Sequence, residues 1–218
     1  MLKADLHIHS EYSHDCDTPL EKIIQRCHEL GINCIAIADH GTAEGALKMQ
    51  KIAPFTVIVA EEILTTQGEI MGMFLRETIP SGLTPHETIK RIRAQGGLVN
   101  IPHPFETIRG SALKEWVVRE IAGEIDLIEV LNSRSPFHAN TEKALEFATR
   151  NGIIGGAGSD AHTLHEIGNA YVEMPEFNGK EGFLRALKQG TIRGKRSSMV
   201  VRFYSTWAKV KNQFIKKG

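Results

Sequence analysis

The sequence predicts an α/β barrel in which parallel strands are wrapped by helices. Short, nearly unbroken apolar runs alternate with segments of helical period, as buried parallel strands and their crossover helices require. The polar residues of these runs gather at one place in each unit, the C-terminal end of the strand, where barrels of this kind assemble their sites.

The first strand is expected over residues 4–9, ADLHIH. His7 and His9 are two apart, so both imidazoles leave the same face of the strand, as two ligands to one ion would. A helix follows over 18–31, with Thr18 as N-cap, Pro19 at the first helical position and Gly31 just past the end. NCIAIAD (33–39), FTVIVAEEI (55–63) and EIMGMFL (69–75) read as the next strands. The same helix grammar recurs over 84–97 with Thr84, Pro85 and Gly96, and the strand GLVNIPH (97–103) follows. DLIEVLN (126–132) is a strand, 138–152 a helix ending at Gly152, and GIIGGAGSD (152–160) the seventh strand. Seven strands between residues 4 and 160 suit one small barrel rather than two domains.

The hydrophobic share of 41% and charged share of 24% are those of an ordinary globular protein. Asp5, His7 and His9 interrupt any signal-peptide core, and no run is long and apolar enough to span a bilayer. The three cysteines, Cys16, Cys27 and Cys34, form no CxxC and cannot all pair. A reducing, cytoplasmic location is expected, without a thiolate metal site. Charge is uneven. Residues 193–218 carry eight of the 26 basic residues and no acid, leaving 18 bases against 26 acids, or −8, in the rest. In that tail Phe203, Trp207, Val210 and Phe214 fall on one helical face among lysines. A closing helix docked on the barrel is expected there, with a nucleic-acid-binding arm as the alternative.

The strand ends supply His7 and His9; Asp39 and His40; Glu61 and Glu62; His103; Glu129 and Asn132; and Asp160 and His162. Five histidines with three or four carboxylates and no cysteine make a nitrogen–oxygen site, suited to Mn²⁺, Fe²⁺ or Zn²⁺. Eight or more ligands exceed what one ion takes, so a bridging carboxylate and a cluster of two or three ions are expected. Such clusters stabilise attacking and leaving oxygens in phosphate-ester hydrolysis. Asp39 is expected to orient a neighbour rather than bind metal. His14, His138 and His165 are expected at the surface or behind the ligands, and His28 and His86 in structural helix positions. Arg134 and, with weaker placement, Arg109 are candidates to grip a substrate phosphate.

The motifs DLHIHSEYSHDCDTP, IAIADHGTAEG, VAEEILTTQGEI, NIPHP and GAGSDAH, in that order over residues 1–195, resemble those of the PHP (polymerase and histidinol phosphatase) superfamily. The resemblance implies a distorted (β/α)7, TIM-like barrel with a two- or three-metal cluster. It puts His7, His9, Glu62 and Asp160 on one ion. Glu62 would bridge to a second ion, held also by His103, and Asp15, His40 and His162 would hold a third. The third side chain of the second ion is left open between Asn132 and Glu129. Three positions depart from the family pattern: Cys16 and Glu61 stand where glycine is common, and Glu69 where a histidine is. The activity implied is a metal-dependent phosphoesterase using a metal-activated hydroxide, with Asp160 and His162 as catalytic residues. Its substrate would be a phosphorylated small molecule or nucleotide. A 3′-end exonuclease on single-stranded nucleic acid is the alternative, and a non-catalytic metal-stabilised scaffold a third reading. Residues 1–195 would be the barrel and 196–218 a basic extension packed on it.

Overall fold

The computed structural model describes residues 1–195. The expected tail helix therefore lies outside the described residues. One nine-stranded sheet curls into a nearly closed barrel. In chain order the elements are β1 (Leu2–Ile8), α1 (Leu20–Leu30), β2 (Cys34–Ile37), α2 (Glu44–Ile52), β3 (Thr56–Thr65), β4 (Gly68–Met73), α3 (Pro85–Ala94), β5 (Leu98–Ile101), α4 (Glu115–Glu120), β6 (Leu127–Asn132), α5 (His138–Asn151), β7 (Ile154–Gly158), β8 (Ala170–Met174), α6 (Gly179–Lys188) and β9 (Thr191–Gly194). The strand order is β7-β6-β5-β4-β3-β2-β1-β8-β9.

All seven expected strands are present, but they are not all parallel. β4 pairs antiparallel with both β3 and β5. Only Thr66 and Gln67 separate β3 from β4, too few residues for the crossover that a parallel pair needs. β8 and β9 are additional strands: β8 pairs antiparallel with β1, and β9 antiparallel with β8. The helix ends follow the sequence at Gly31 and Gly152, both left-handed caps, and at Thr84, whose hydroxyl accepts from the Glu87 amide. The expected cap at Thr18 is corrected. The helix begins at Leu20, and the Thr18 hydroxyl instead donates to the His162 carbonyl at 3.2 Å.

Two apolar layers fix the barrel. One lies between sheet and helices, where Ile23 and Cys27 of α1, Met49 of α2, Ile92 of α3 and Phe147 of α5 meet Ile35, Val59, Ile101 and Ile128. The other takes the opposite sheet face, with small residues such as Ala36, Ala60 and Ala157 beside Leu6, Ile58 and Met71. α6 packs Phe183, Ala186 and Leu187 into this second layer. Each such large side chain contributes about 1.5–3 kcal/mol on burial.

The barrel closes at its mouth. The first residues of β1 pair with β8, while its last turn to the chain leaving β7. There Asp160 N–H donates to the His7 carbonyl at 2.7 Å and His9 N–H to the Ala161 carbonyl at 2.9 Å. Gly158 permits this approach: a Cβ there would sit 2.3 Å from the His7 Cβ. Among the described residues no helix is long and apolar enough to cross a membrane. All three cysteines are buried thiols, pushed up to about 12 chiefly by burial.

Candidate metal centre

The eight ligand candidates meet at the barrel mouth around one carboxylate. Glu62 Oε2 lies 3.3 Å from His7 Nε2, 3.4 Å from His9 Nε2 and 3.3 Å from His40 Nδ1. Its other oxygen, Oε1, lies 2.6 Å from His103 Nε2. The two oxygens thus face different histidines, the arrangement of a bridging carboxylate. Asp160 Oδ1 lies 3.3 Å from His9 Nε2 and 3.8 Å from His7 Nε2. On the far side Asp15 Oδ2 lies 3.1 Å from His162 Nε2 and 3.5 Å from His40 Nε2. Three overlapping groups have ligand atoms within 4.8 Å of one another: His9, Asp15, His40 and His162; His7, His9 and Glu62; and His40, Glu62 and Glu69.

Strand alternation decides between the two adjacent glutamates. Glu61 points away, its Oε2 accepting from the Ile79 amide at 2.8 Å, and burial pushes its carboxyl up to about 7. Glu69 also reaches Glu62 and His103, with oxygens 3.5 Å from His40 Nδ1 and 3.6 Å from His103 Nε2. A search of C-terminal strand ends misses it, because β4 runs antiparallel and brings its N-terminal end to the mouth. The available signal was its place in the family pattern, where a histidine is usual.

Glu129 and Asn132 lie against His7, His103 and Asp160. Glu129 Oε1 lies 3.2 Å from His7 Nδ1, and Oε2 accepts from the His103 amide at 2.7 Å and Asn132 Nδ2 at 2.8 Å. Asn132 also donates to Asp160 Oδ2 at 3.2 Å. Such partners set ring orientation and ligand basicity. Asp39 accepts from the Ser10 amide and hydroxyl at 2.6 and 2.7 Å, pinning the loop that carries Asp15. Two residues of the cluster, His103 and Asp160, adopt left-handed backbone with φ of 29° and 54°. Such conformations persist only where the surroundings impose them.

Both arginines reach the centre. Arg109 Nη2 donates to Asp160 Oδ2 at 2.6 Å and Nε to Glu106 Oε2 at 3.2 Å. Arg134 Nη1 lies 2.6 Å from His162 Nδ1, and its Nε 3.2 Å from Glu166 Oε1. Arg134 is buried, not a solvated loop residue. His14 is exposed at the rim, its ring 5.1 Å from that of His40. His28, His86, His138 and His165 are exposed and do not belong to the ligand groups.

The chemistry of this donor set fits divalent cations. His7 Nε2 and His9 Nε2 face each other at 3.0 Å, while Asp160 Oδ1 and Glu69 Oε2 are buried without a hydrogen-bond donor. Burial opposes the charge on Asp160, but Arg109 and His7 hold its carboxyl well below the usual range. Burial likewise opposes the charge on Glu62, and His7, His40 and His103 hold it far below. Burial and the neighbouring His162 push His9 well down, keeping it neutral. By contrast, Asp160, Glu129 and Glu62 outweigh burial and raise His7, and Glu62 and Asp15 raise His40 to about 9, so a bound ion would displace protons from these two rings. Neutral imidazoles and ionised carboxylates are the forms that ligate metal.

The PHP domain model matches residues 5–61, and the PHP-associated model residues 138–192. The uncharacterized protein MJ0417 of Methanocaldococcus jannaschii is 37% identical over 180 residues, covering 81% of this chain and 72% of that protein. Among solved structures, a Bacteroides vulgatus two-domain protein with a predicted PHP-like metal-dependent phosphoesterase superposes with a TM-score of 0.70 at 15% identity, over 95% of this chain and 69% of that one. A candidate metal-dependent phosphoesterase from Bifidobacterium adolescentis gives 0.62 at 15% identity, over 73% and 87%. These structural likenesses show the shared fold. Fold and site together define a barrel whose mouth gathers histidines and carboxylates suited to divalent metal ions. The chain belongs to the PHP family.

Proposed function

We propose that the protein is a metal-dependent phosphoesterase that hydrolyses the ester of a phosphorylated small molecule or nucleotide. The observation that carries this is the convergence of separate ligand groups on the two oxygens of Glu62. His7, His9, Glu62 and Asp160 would hold one divalent ion; Glu62, His103 and Glu69 a second; and Asp15, His40 and His162 a third. Mn²⁺, Fe²⁺ and Zn²⁺ all suit these donors. When bound, the ions supply Lewis-acid stabilisation of phosphoryl oxygens and a water of lowered pKa.

The chain's own residues set up that chemistry. Arg109 and Asn132 both donate to Asp160 Oδ2, which turns Oδ1 toward the histidines. Glu129 fixes the His7 ring and the His103 backbone. Asp160 and His162 act at the reacting phosphate, and Arg134 and Arg109 supply positive charge for its oxygens. The likeness in fold to candidate metal-dependent phosphoesterases supports the same reading. In it, residues 1–195 are the catalytic barrel and 196–218 an extension packed on it.

The test is a panel of phosphomonoesters, phosphodiesters and single-stranded oligonucleotides, run with each metal and with a chelator. Metal-dependent hydrolysis of a phosphomonoester or nucleotide, abolished by chelation, is expected. Hydrolysis of oligonucleotides alone would replace this reading with the exonuclease. No hydrolysis of any member with any metal would refute it.

A further inference from the structure

The segment after β7 carries a buried carboxylate that the ligand groups do not use. Glu166 is 1% exposed and lies four residues past His162. Its Oε2 accepts from the His162 amide, the Thr163 amide and the Thr163 hydroxyl, each at 3.1 Å. Its Oε1 faces Arg134, whose Nε lies 3.2 Å away, as an ion pair rather than a directed hydrogen bond. Arg134 comes from a different loop, the one between β6 and α5. Its backbone end is fixed, because the Arg134 amide donates to Asn132 Oδ1 at 2.8 Å. Its head meets His162 Nδ1 at 2.6 Å through Nη1. A guanidinium so deeply buried needs a negative charge beside it, which a histidine ring does not bring. Glu166 supplies that charge at contact distance. The other arginine of the site differs. Arg109 takes its counter-charge partly from Asp160, a candidate metal ligand, at 2.6 Å. Arg134 is paired with a carboxylate outside the ligand groups, so a metal ion does not compete for it.

We propose that Glu166 is a positioning residue of the phosphate site. Through Oε1 it holds the Arg134 guanidinium beside His162, and through Oε2 it ties that placement to the loop that carries His162. This rests on the phosphoesterase reading for the phosphate itself, and Glu166 acts on that phosphate only through Arg134. An arginine side chain has many rotamers, and ordering it at the moment of binding costs affinity. Here Asn132 fixes one end and Glu166 the other, so the charge is in place before a phosphate arrives. The two oxygens of Glu166 explain why a carboxylate is needed. The amide of a glutamine could still accept from the His162 and Thr163 amides through its oxygen, but it would then turn an NH2 toward Arg134 Nε, donor against donor.

The experiment is a double-mutant cycle read by the binding of inorganic phosphate. The full chain and its variants are reconstituted with Mn²⁺; calorimetry measures phosphate affinity and elemental analysis counts the metal. Glu166→Gln should weaken phosphate about tenfold, the scale of one charge-assisted contact, and keep the wild-type metal content. Arg134→Ala should weaken it at least as much. In the Arg134→Ala background, Glu166→Gln should change the affinity by less than about twofold, because the arginine it positions is gone. A merely structural role for Glu166 would weaken phosphate by the same factor in both backgrounds, and that result would overturn the proposal. So would wild-type affinity in Glu166→Gln, a loss of metal from that variant, or a wild type that binds no phosphate. If Glu166→Gln does not fold, Glu166→Asp, which keeps the charge one methylene back, enters the same cycle with the same expectation. The two readings fail separately. A non-additive cycle without hydrolysis of any ester defeats the enzyme but not the positioning role. Metal-dependent hydrolysis with an additive cycle defeats the positioning role but not the enzyme.

Discussion

Replacing Glu69 with glutamine should act in opposite directions on the metal-free and metal-loaded protein. Without metal, Glu69 is a buried carboxylate near Glu62, and both burial and that neighbour disfavour its charge. A neutral amide of the same shape should leave the metal-free melting temperature unchanged or slightly higher. With metal, the same oxygens, 3.5 Å from His40 Nδ1 and 3.6 Å from His103 Nε2, complete the group that Glu62 joins. Losing a partner behind a ligand typically costs 10–100-fold in metal affinity, so losing a charged ligand should cost about 100-fold or more. A 100-fold loss removes about 2.7 kcal/mol of metal-linked stabilisation. For a chain of this size that lowers the metal-induced rise in Tm by about 5–10 °C. Melting scans with and without Mn²⁺, paired with elemental analysis after dialysis, read both effects, and about one ion per chain should be lost. A variant with wild-type metal content and an undiminished metal-induced rise would remove Glu69 from the ligand set and refute the assignment.

Asp160→Asn should lower hydrolysis at least ~100-fold, about 3 kcal/mol of barrier, while the circular dichroism spectrum stays that of wild type; activity within threefold of wild type would contradict its role. Arg134→Ala removes the guanidinium between His162 and Glu166 and should reduce kcat/KM by about tenfold to a hundredfold. An unchanged kcat/KM on the best substrate would leave Arg134 a purely structural residue. Gly158→Ala would place a methyl carbon 2.3 Å from the His7 Cβ and 2.8 Å from Glu129 Oε1, so it should destabilise by about 1–3 kcal/mol through overpacking. Its Tm should fall by several degrees and its metal content should drop, both readable in one metal-loaded melting series; a wild-type melt would show that the closure between β1 and β7 is looser than described.

What the sequence determined by itself was local. The i, i+2 spacing of His7 and His9, the glycine stops at Gly31 and Gly152 and the cap at Thr84 depend on near neighbours and on backbone geometry, so they are legible in one dimension. The donor chemistry was equally legible, because side-chain type is independent of fold. Strand direction and long-range approach, by contrast, come from how the chain packs. Glu69 joins the centre because β4 reverses direction after a two-residue turn, and strand direction is set by pairing with β3 and β5 rather than by residues 68–73 themselves. Glu129 takes a place behind His7, 122 residues away, because the barrel closes between β1 and β7, and Arg109 pairs with Asp160, 51 residues on, because β5, β6 and β7 lie side by side in the sheet. Contacts of that kind depend on how the whole sheet curls, and no local periodicity encodes them.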